Sequence, residues 1–270
     1  MKVLPVLFLF LLCPVAFFGQ TDSTAKNTGK AVVINKSSGP SKTKGLVYNS
    51  ELSFGGKLST AGFGFFTDFT KRVNAEKDRM YYLEINFLKH PKELKKVNEY
   101  TVALPYDTPR PFVYGKQNSF IAVKTGYGNK LLIGEKAEKN GFEINFTYTL
   151  GPSFGLVKPY YLDIWVDNDD DQNLVSHKYS TETEELFLNA TSIYGYSGFG
   201  KGFDEISLIP GGFGKAGLSF DWANYDDYVK SIETGIGADL YIKDVPIMII
   251  ENNKPYFVYL YLSLQFGRKW

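Results

Sequence analysis

Few residues in this sequence are of a type and spacing to do chemistry. The histidines are His90 and His177, and the second sits among Ser176, Glu182 and Glu184. A hydroxyl, an imidazole and a carboxylate are what a nucleophilic transfer needs. Ser176 and His177 are adjacent, however, and neighbours on an extended segment point to opposite sides. His177 therefore reads as a solvated loop histidine. Asp167-Asn-Asp-Asp-Asp171 places carboxylates at alternate positions, as calcium loops do. It lacks the glycine such a loop needs at its sixth place, and Lys178 stands where the closing glutamate belongs. A hydrated turn is the simpler reading.

Lys89, Lys92, Lys95, Lys96 and Arg110 form a basic group suited to phosphates or to plain solvation. Gly195 to Gly217 is dense in glycine but carries no Gly-Lys-Ser/Thr ending and runs into a β-prone segment. It reads as sharp turns and close backbone contacts near the barrel mouth, not as a phosphate cradle. The one cysteine is Cys13, so cysteine nucleophiles and cysteine-built zinc sites are not expected in the mature chain. No cofactor and no metal site is expected. A formal net charge of +1 gives no bulk attraction to nucleic acid.

The elements that would hold any site are far more legible. Lys2, an apolar run from Val3 to Phe18 and a polar exit at Thr21 describe a secretory signal over residues 1–20. Residues 21–44 are rich in Ser, Thr, Lys and Gly and read as a flexible periplasmic tether. Residues 45–270 then divide into segments of strand length. Their approximate bounds are Leu46–Leu58, Ala61–Lys71, Arg79–Lys89, Asn118–Gly126, Gly141–Gly151, Gly212–Trp222, Lys230–Lys243 and the terminal run from Tyr256.

Each alternates at period two. In the last, Tyr256, Val258, Leu260, Leu262, Leu264 and Phe266 share one face, while Ser263 and Gln265 lie on the other. The minor faces carry Glu51, Asp68, Glu84, Lys124, Glu143, Lys215, Asp221, Glu233 and Asp239. So many charges cannot share a dry soluble core, because each unpaired one costs several kcal/mol. Apolar faces outward and ionisable faces inward satisfy both sets. The expected fold is all-β: an eight-stranded antiparallel up-and-down transmembrane barrel with a polar lumen network and one long outer loop. Acids outnumber the lysines in that network, so Arg72, Arg79 or loop cations are expected to join it. A capped helix is expected over Thr181–Leu188, with Thr181 at its start.

The signal ending Phe-Phe-Gly-Gln, the glycine- and aromatic-rich strands and the close Phe266-Gly-Arg-Lys-Trp270 resemble small outer-membrane β-barrel proteins of Bacteroidota. Lys158-Pro-Tyr-Tyr161, Gly202-Phe-Asp-Glu-Ile206, Pro210-Gly-Gly212 and Val245-Pro-Ile-Met248 are similar to a largely uncharacterised set among them. The wider group includes barrels that work beside secretion and assembly machines. The resemblance implies a cell outer-membrane location and a non-enzymatic accessory or scaffolding role in an envelope complex. The implied partners are outer-membrane lipids, lipopolysaccharide and other outer-membrane or periplasmic proteins. It supplies no active site. Two alternatives stand beside it: a lipid A-modifying enzyme at the rim, and a small-solute channel.

Overall fold

The computed structural model describes residues 48–98, 110–136, 141–168, 171–223, 227–249 and 252–270. The expected signal and tether lie outside them. The strands, in chain order, are β1 (Ser50–Ser59), β2 (Gly62–Arg72), β3 (Lys77–Leu88), β4 (Lys95–Lys96), β5 (Phe112–Val113), β6 (Asn118–Gly134), β7 (Glu143–Pro159), β8 (Tyr161–Asn168), β9 (Asp171–Lys178), β10 (Ile193–Tyr196), β11 (Ser207–Asp221), β12 (Tyr228–Tyr241) and β13 (Tyr256–Lys269). A 3₁₀ turn (Thr181–Thr183) leads into a short helix, α1 (Glu184–Leu188).

Eight of these strands close into a barrel in the order β1-β13-β12-β11-β7-β6-β3-β2. Every wall strand lies beside its neighbour in the chain, antiparallel, and β1 closes the wall against β13 from Glu51↔Lys269 to Ser59↔Tyr261. Closure leaves no unpaired wall edge, which a strand protein needs in hydrocarbon. No helix among the described residues is long and apolar enough to cross a membrane.

The face pattern is the one the alternation predicts. Val258, Leu260 and Ile236 stand 73%, 61% and 60% exposed on the outside, whereas Glu84 and Glu233 are 1% and 5% exposed within. Outward rings pair at both ends of the wall: Phe69 lies 6.3 Å from Trp270 and Tyr81 lies 5.7 Å from Tyr127 at one end, and Phe63 lies 5.1 Å from Phe87 at the other. The first, basal end holds the start of β1 and the end of β13. The β1–β2 turn and the connections after β3, β7 and β12 leave the other, distal end.

Glycine sets the two tightest places. At the distal turn after β1, Gly62 has φ +149°, and a Cβ there would run into the Phe87 carbonyl. On the inner face of β12, a Cβ on Gly237 would strike the Tyr259 ring that crosses the lumen. Two expectations are corrected and one is extended. β6 runs past Gly126 through Lys130 to Gly134, a stretch whose sequence already offered an extension of strand pairing, and it pairs with both β3 and β7. β1 and β2 meet through Thr60-Ala61, one residue further on than expected. The helical turn is capped by Ser180, which forms a reciprocal capping box with Thr183, so Thr181 is its first residue and not its cap.

Candidate functional site: lumen, distal cap and platform

Inward parity and strand register bring charged side chains from opposite walls together in mid-lumen. Lys124 from β6 reaches Asp239 of β12 at 2.6 Å and donates to the Tyr259 hydroxyl at 3.1 Å. Tyr259 in turn donates to the second Asp239 oxygen at 3.2 Å. Lys215 pairs with Glu233 at 3.2 Å, and the Tyr261 hydroxyl donates to the same carboxylate at 2.6 Å. Lys57 and Glu84 form a third ion pair, with Tyr82 donating to Glu84 at 2.7 Å. Three lysines thus balance three carboxylates, and each pair has the additional hydrogen bonds or ring contacts that a buried pair needs to be tolerated. The Lys215 ammonium lies 3.9 Å over the Tyr82 ring.

Toward the basal end the network mixes neutral hydrogen bonds with further ion pairs. Asp68 accepts from Ser53 and, at 2.7 Å, from Gln265; Ser231 donates to Gln265 at 2.8 Å. Glu51 meets Lys130 at 3.6 Å, and Asp221 is held by Lys269 at 3.5 Å and Lys136 at 3.9 Å. Glu143 stands half-buried at the basal rim, where Asn145 donates to it at 2.9 Å.

The two arginines are corrected: Arg72 lies at the rim, 3.6 Å from Asp78, and Arg79 faces outward over the Tyr127 ring. A cation from a stretch that read as a connection, Lys130, does join the network, and Lys57 takes a further inner place. Both signals were present in the sequence. Lys57 shares the parity of Glu51, and Lys130 shares that of Lys124 once β6 is given its full length.

The distal mouth is shut by the segment after β12, not by the glycine-dense stretch. Val245, Ile247 and Met248 pack on Leu88, Phe120, Ala122, Val157, Ile209 and Tyr241. This cap is fastened through its backbone: the Gln117 amide donates to the Ile247 carbonyl at 2.8 Å, and the Asn118 side chain donates to that of Pro246 at 2.7 Å. Asn253 brackets it by accepting from the Ile247 amide at 3.0 Å and donating to the Met248 carbonyl at 2.9 Å.

Beyond the mouth, β7 leads directly into β8, the centre of a three-stranded sheet ordered β10-β8-β9. The sheet has its own apolar core of Phe112, Tyr160, Leu162, Ile164, Phe187 and Ile193. Tyr160 stacks on Tyr196 at 4.7 Å; its hydroxyl accepts from the Val113 amide at 3.1 Å, and burial pushes its pKa up. On one face Asp163 accepts from both Ser176 and Ser197, and Lys201 donates to Ser176. Glu205 accepts from Lys178 at 2.7 Å and from Tyr161 at 3.0 Å. The Lys178 hydrogen bond, then that from Tyr161, holds the Glu205 carboxyl below its ordinary range.

Ser176 and His177 pair with consecutive residues, Asp163 and Leu162, and so point to opposite faces of the sheet. Glu184 meets the Tyr179 hydroxyl at 3.5 Å. A serine-histidine-carboxylate relay is not assembled by these residues. His90 accepts from the Lys92 amide at 3.3 Å. Of the acidic stretch Asp167–Asp171, residues 169–170 lie outside the described residues, and no metal-holding group of His, Cys, Asp or Glu occurs among the described ones. The basic group is dispersed along the distal rim, with Lys89 over Phe63 at 5.4 Å and Lys96 over Tyr114 at 5.8 Å. Lys158, which the sequence singles out only as the start of Lys158-Pro-Tyr-Tyr161, lies over the rings of Phe199 and Phe203, 4.9 Å from each.

A closed eight-stranded antiparallel wall, apolar outside and ionised inside, defines the class: a small transmembrane β-barrel, here with a sealed lumen and a structured distal platform. No protein-family model matches the chain, and no curated protein matches its sequence. Among solved structures it is similar to Ail, the attachment invasion locus protein of Yersinia pestis, at 12% identity and TM-score 0.40, covering 83% of this chain and 99% of that chain. It is similar also to Neisserial surface protein A, at 10% identity and TM-score 0.37, covering 83% of this chain and 96% of that chain. The N-terminal β-barrel domain of Pseudomonas aeruginosa OprF follows, at 8% identity and TM-score 0.33, covering 83% of this chain and 98% of that chain.

Proposed function

We propose that the chain is an integral outer-membrane barrel acting as a non-enzymatic accessory or scaffolding subunit of an envelope protein complex. The observation that carries this reading is a division of labour in the molecule. The lumen, where a channel would work, is filled by paired charges and closed by the distal cap. The distal platform, by contrast, has an apolar core of its own outside the barrel. A barrel whose lumen is filled in this way, and that carries a sheet beyond its mouth, works through what the sheet and rims touch. Its outward apolar belt fits acyl chains. Lys89 and Arg110, exposed at the distal end, fit the phosphates of lipopolysaccharide.

The same features weigh against the alternatives. A small-solute channel needs an open path, and a rim lipid A-modifying enzyme needs Ser176 and His177 on one face. The test is co-purification from mildly solubilised outer membranes. A defined set of envelope proteins recovered with the barrel, and lost when the sheet residues 161–206 are replaced by a short linker, is expected. Recovery of the barrel alone, at the same yield in both forms, overturns the reading.

A further inference from the structure

Lys158, near the distal end of β7, is a buried cation without an anion. It is 1% exposed, and its ammonium rests against the rings of Phe199 and Phe203, 4.9 Å from each. Among the described residues no carboxylate pairs with it. The other charge that acts on it is a cation, Lys116, whose own ion pair is with Glu93 at 2.6 Å. Ring contacts offset only part of what burying an ammonium costs. The cover is thin, since Phe199 and Phe203 are themselves 52% and 48% exposed. Their segment turns at Gly198 and Gly202, with φ +110° and +82°, and the two rings meet edge to face, 5.2 Å apart. Rotation of these half-exposed rings, with no movement of the wall, opens the way to Lys158.

The ammonium lies on the outside of the barrel. Inward Val157 packs beneath the distal cap, so Lys158, its neighbour on β7, projects outward. Register aligns Leu156 with Leu208 of β11 and Ile121 of β6, and Ile121 with Phe87 of β3, which stands opposite Phe63 of β2. That row closes the outward apolar belt at its distal end. Lys158 is the next outward position on β7, about 7 Å further along the strand. The Arg110 guanidinium flanks the same loop, 3.2 Å from where a Cβ on Gly198 would lie. The acids of the stretch are engaged on its other side: Glu205 holds Lys178 and Tyr161, and Asp204 acts on the same two groups. Apolar wall below, aromatic rings above it and unmatched positive charge are what a phosphate-bearing lipid meets at a membrane surface.

We propose that Lys158, with the Phe199 and Phe203 rings and Arg110, is a binding site for the phosphate of an outer-leaflet lipid whose acyl chains lie along Leu156 and Leu208. The phosphate supplies the missing anion. The rings turn from covering the ammonium to flanking the head group, and the tails continue down the wall. A free phosphate ion gains the charge but not the apolar wall. The site rests on the outer-membrane reading above and gives its lipid contact a residue and a chemistry.

The purified full chain, folded in a maltoside detergent that carries no phosphate, is mixed with three probes, and bound ligand is counted by native mass spectrometry. Dilauroyl phosphatidate has head and tails, dilauroylglycerol the same tails without the phosphate, and inorganic phosphate the head alone. One phosphatidate is expected to be retained where neither of the others is. Lys158→Met is expected to weaken it roughly tenfold, the scale of one charge-assisted hydrogen bond. Lys158→Arg keeps the charge and the binding. Lys254→Met, which removes an exposed cation over the outward Tyr256 ring, leaves the affinity unchanged. Should Lys158→Met fail to fold, Phe203→Glu on the exposed loop serves. It sets a carboxylate over the ammonium and is expected to cause the same loss. Equal retention of phosphatidate and dilauroylglycerol, retention of inorganic phosphate as firm as that of the lipid, or equal affinity in the wild type and these variants overturns the site. Cell fractionation tests the outer-membrane reading by itself. A barrel found in the outer membrane that treats the three probes alike loses the site and keeps that reading. One that selects phosphatidate but fractionates elsewhere does the opposite.

Discussion

At the scale of residues, the lumen network is a set of mutual obligations. Lys124 and Asp239 are both fully buried, and each is tolerable only because the other is 2.6 Å away with Tyr259 bridging them. Lys124→Met removes the cation and strands the carboxylate, for which breaking a buried pair typically costs about 3–5 kcal/mol. The double variant Lys124→Met/Asp239→Leu removes both charges and should recover most of that loss. Urea unfolding of the barrel in lipid vesicles, scored by the heat-dependent shift in gel mobility, measures both. If the single variant unfolds at the wild-type midpoint, the pair contributes nothing and the lumen is wet enough to solvate a lone carboxylate. Inward parity was readable from the sequence residue by residue. Partner choice was not: which lysine meets which acid depends on strand stagger around a closed wall, and no single strand carries that information.

At the scale of elements, the eight wall strands were legible because period two and turn residues are local signals. Their lengths were less so. β6 and β7 each run 17 residues, well beyond the wall's need, because pairing with each other carries both past the membrane belt. Of the sheet β10-β8-β9, the aromatic, β-prone opening Phe154 to Val166 signalled β8, whereas β9 and β10 were hidden inside what read as one long loop, since they alternate only weakly and the sheet's apolar core is completed by Phe112 from another connection. That sheet is tied at one corner by an exposed, titratable contact. Glu205 is held below the usual glutamate range by Lys178 and Tyr161, and Lys178 is raised above the usual lysine range chiefly by its hydrogen bond from the ammonium to Glu205. A carboxyl with a lowered folded pKa adds order above its ordinary pKa and loses it as the pH falls through the lowered value. An ammonium with a raised pKa adds order below its ordinary value and loses it as the pH rises through the raised one. The β9 end of the sheet should therefore be best ordered between those limits. Amide hydrogen exchange at Lys178 and Tyr179, corrected for intrinsic rates, should quicken below the ordinary glutamate range in the wild type. In Glu205→Gln the quickening should vanish. An acid-side change of the same size in that variant would assign it to other groups.

At the scale of the whole molecule, the question is what seals the barrel. Two devices lie in series: the apolar distal cap, Val245 to Met248, and the mid-lumen pairs with their Tyr259 and Tyr261 rings. An eight-stranded wall encloses little more than its own side chains. Glycines such as Gly237, which yield their space to a ring, show the interior packed to contact. The pairs, being inside the wall itself, should then be sufficient without the cap. Replacing Val245–Met248 by a Gly-Ser linker should leave planar bilayers without steady conductance. It should also lower stability, because the cap's apolar side chains lose their burial. Truncating the rings in addition, Tyr259→Ala with Tyr261→Ala, leaves the ion pairs short of hydrogen bonds and removes the largest obstacles, and should admit small ions. Steady channels from the cap replacement alone would move the seal to the distal mouth. The cap would then be the movable part of the molecule, and the lumen a path held shut by a loop.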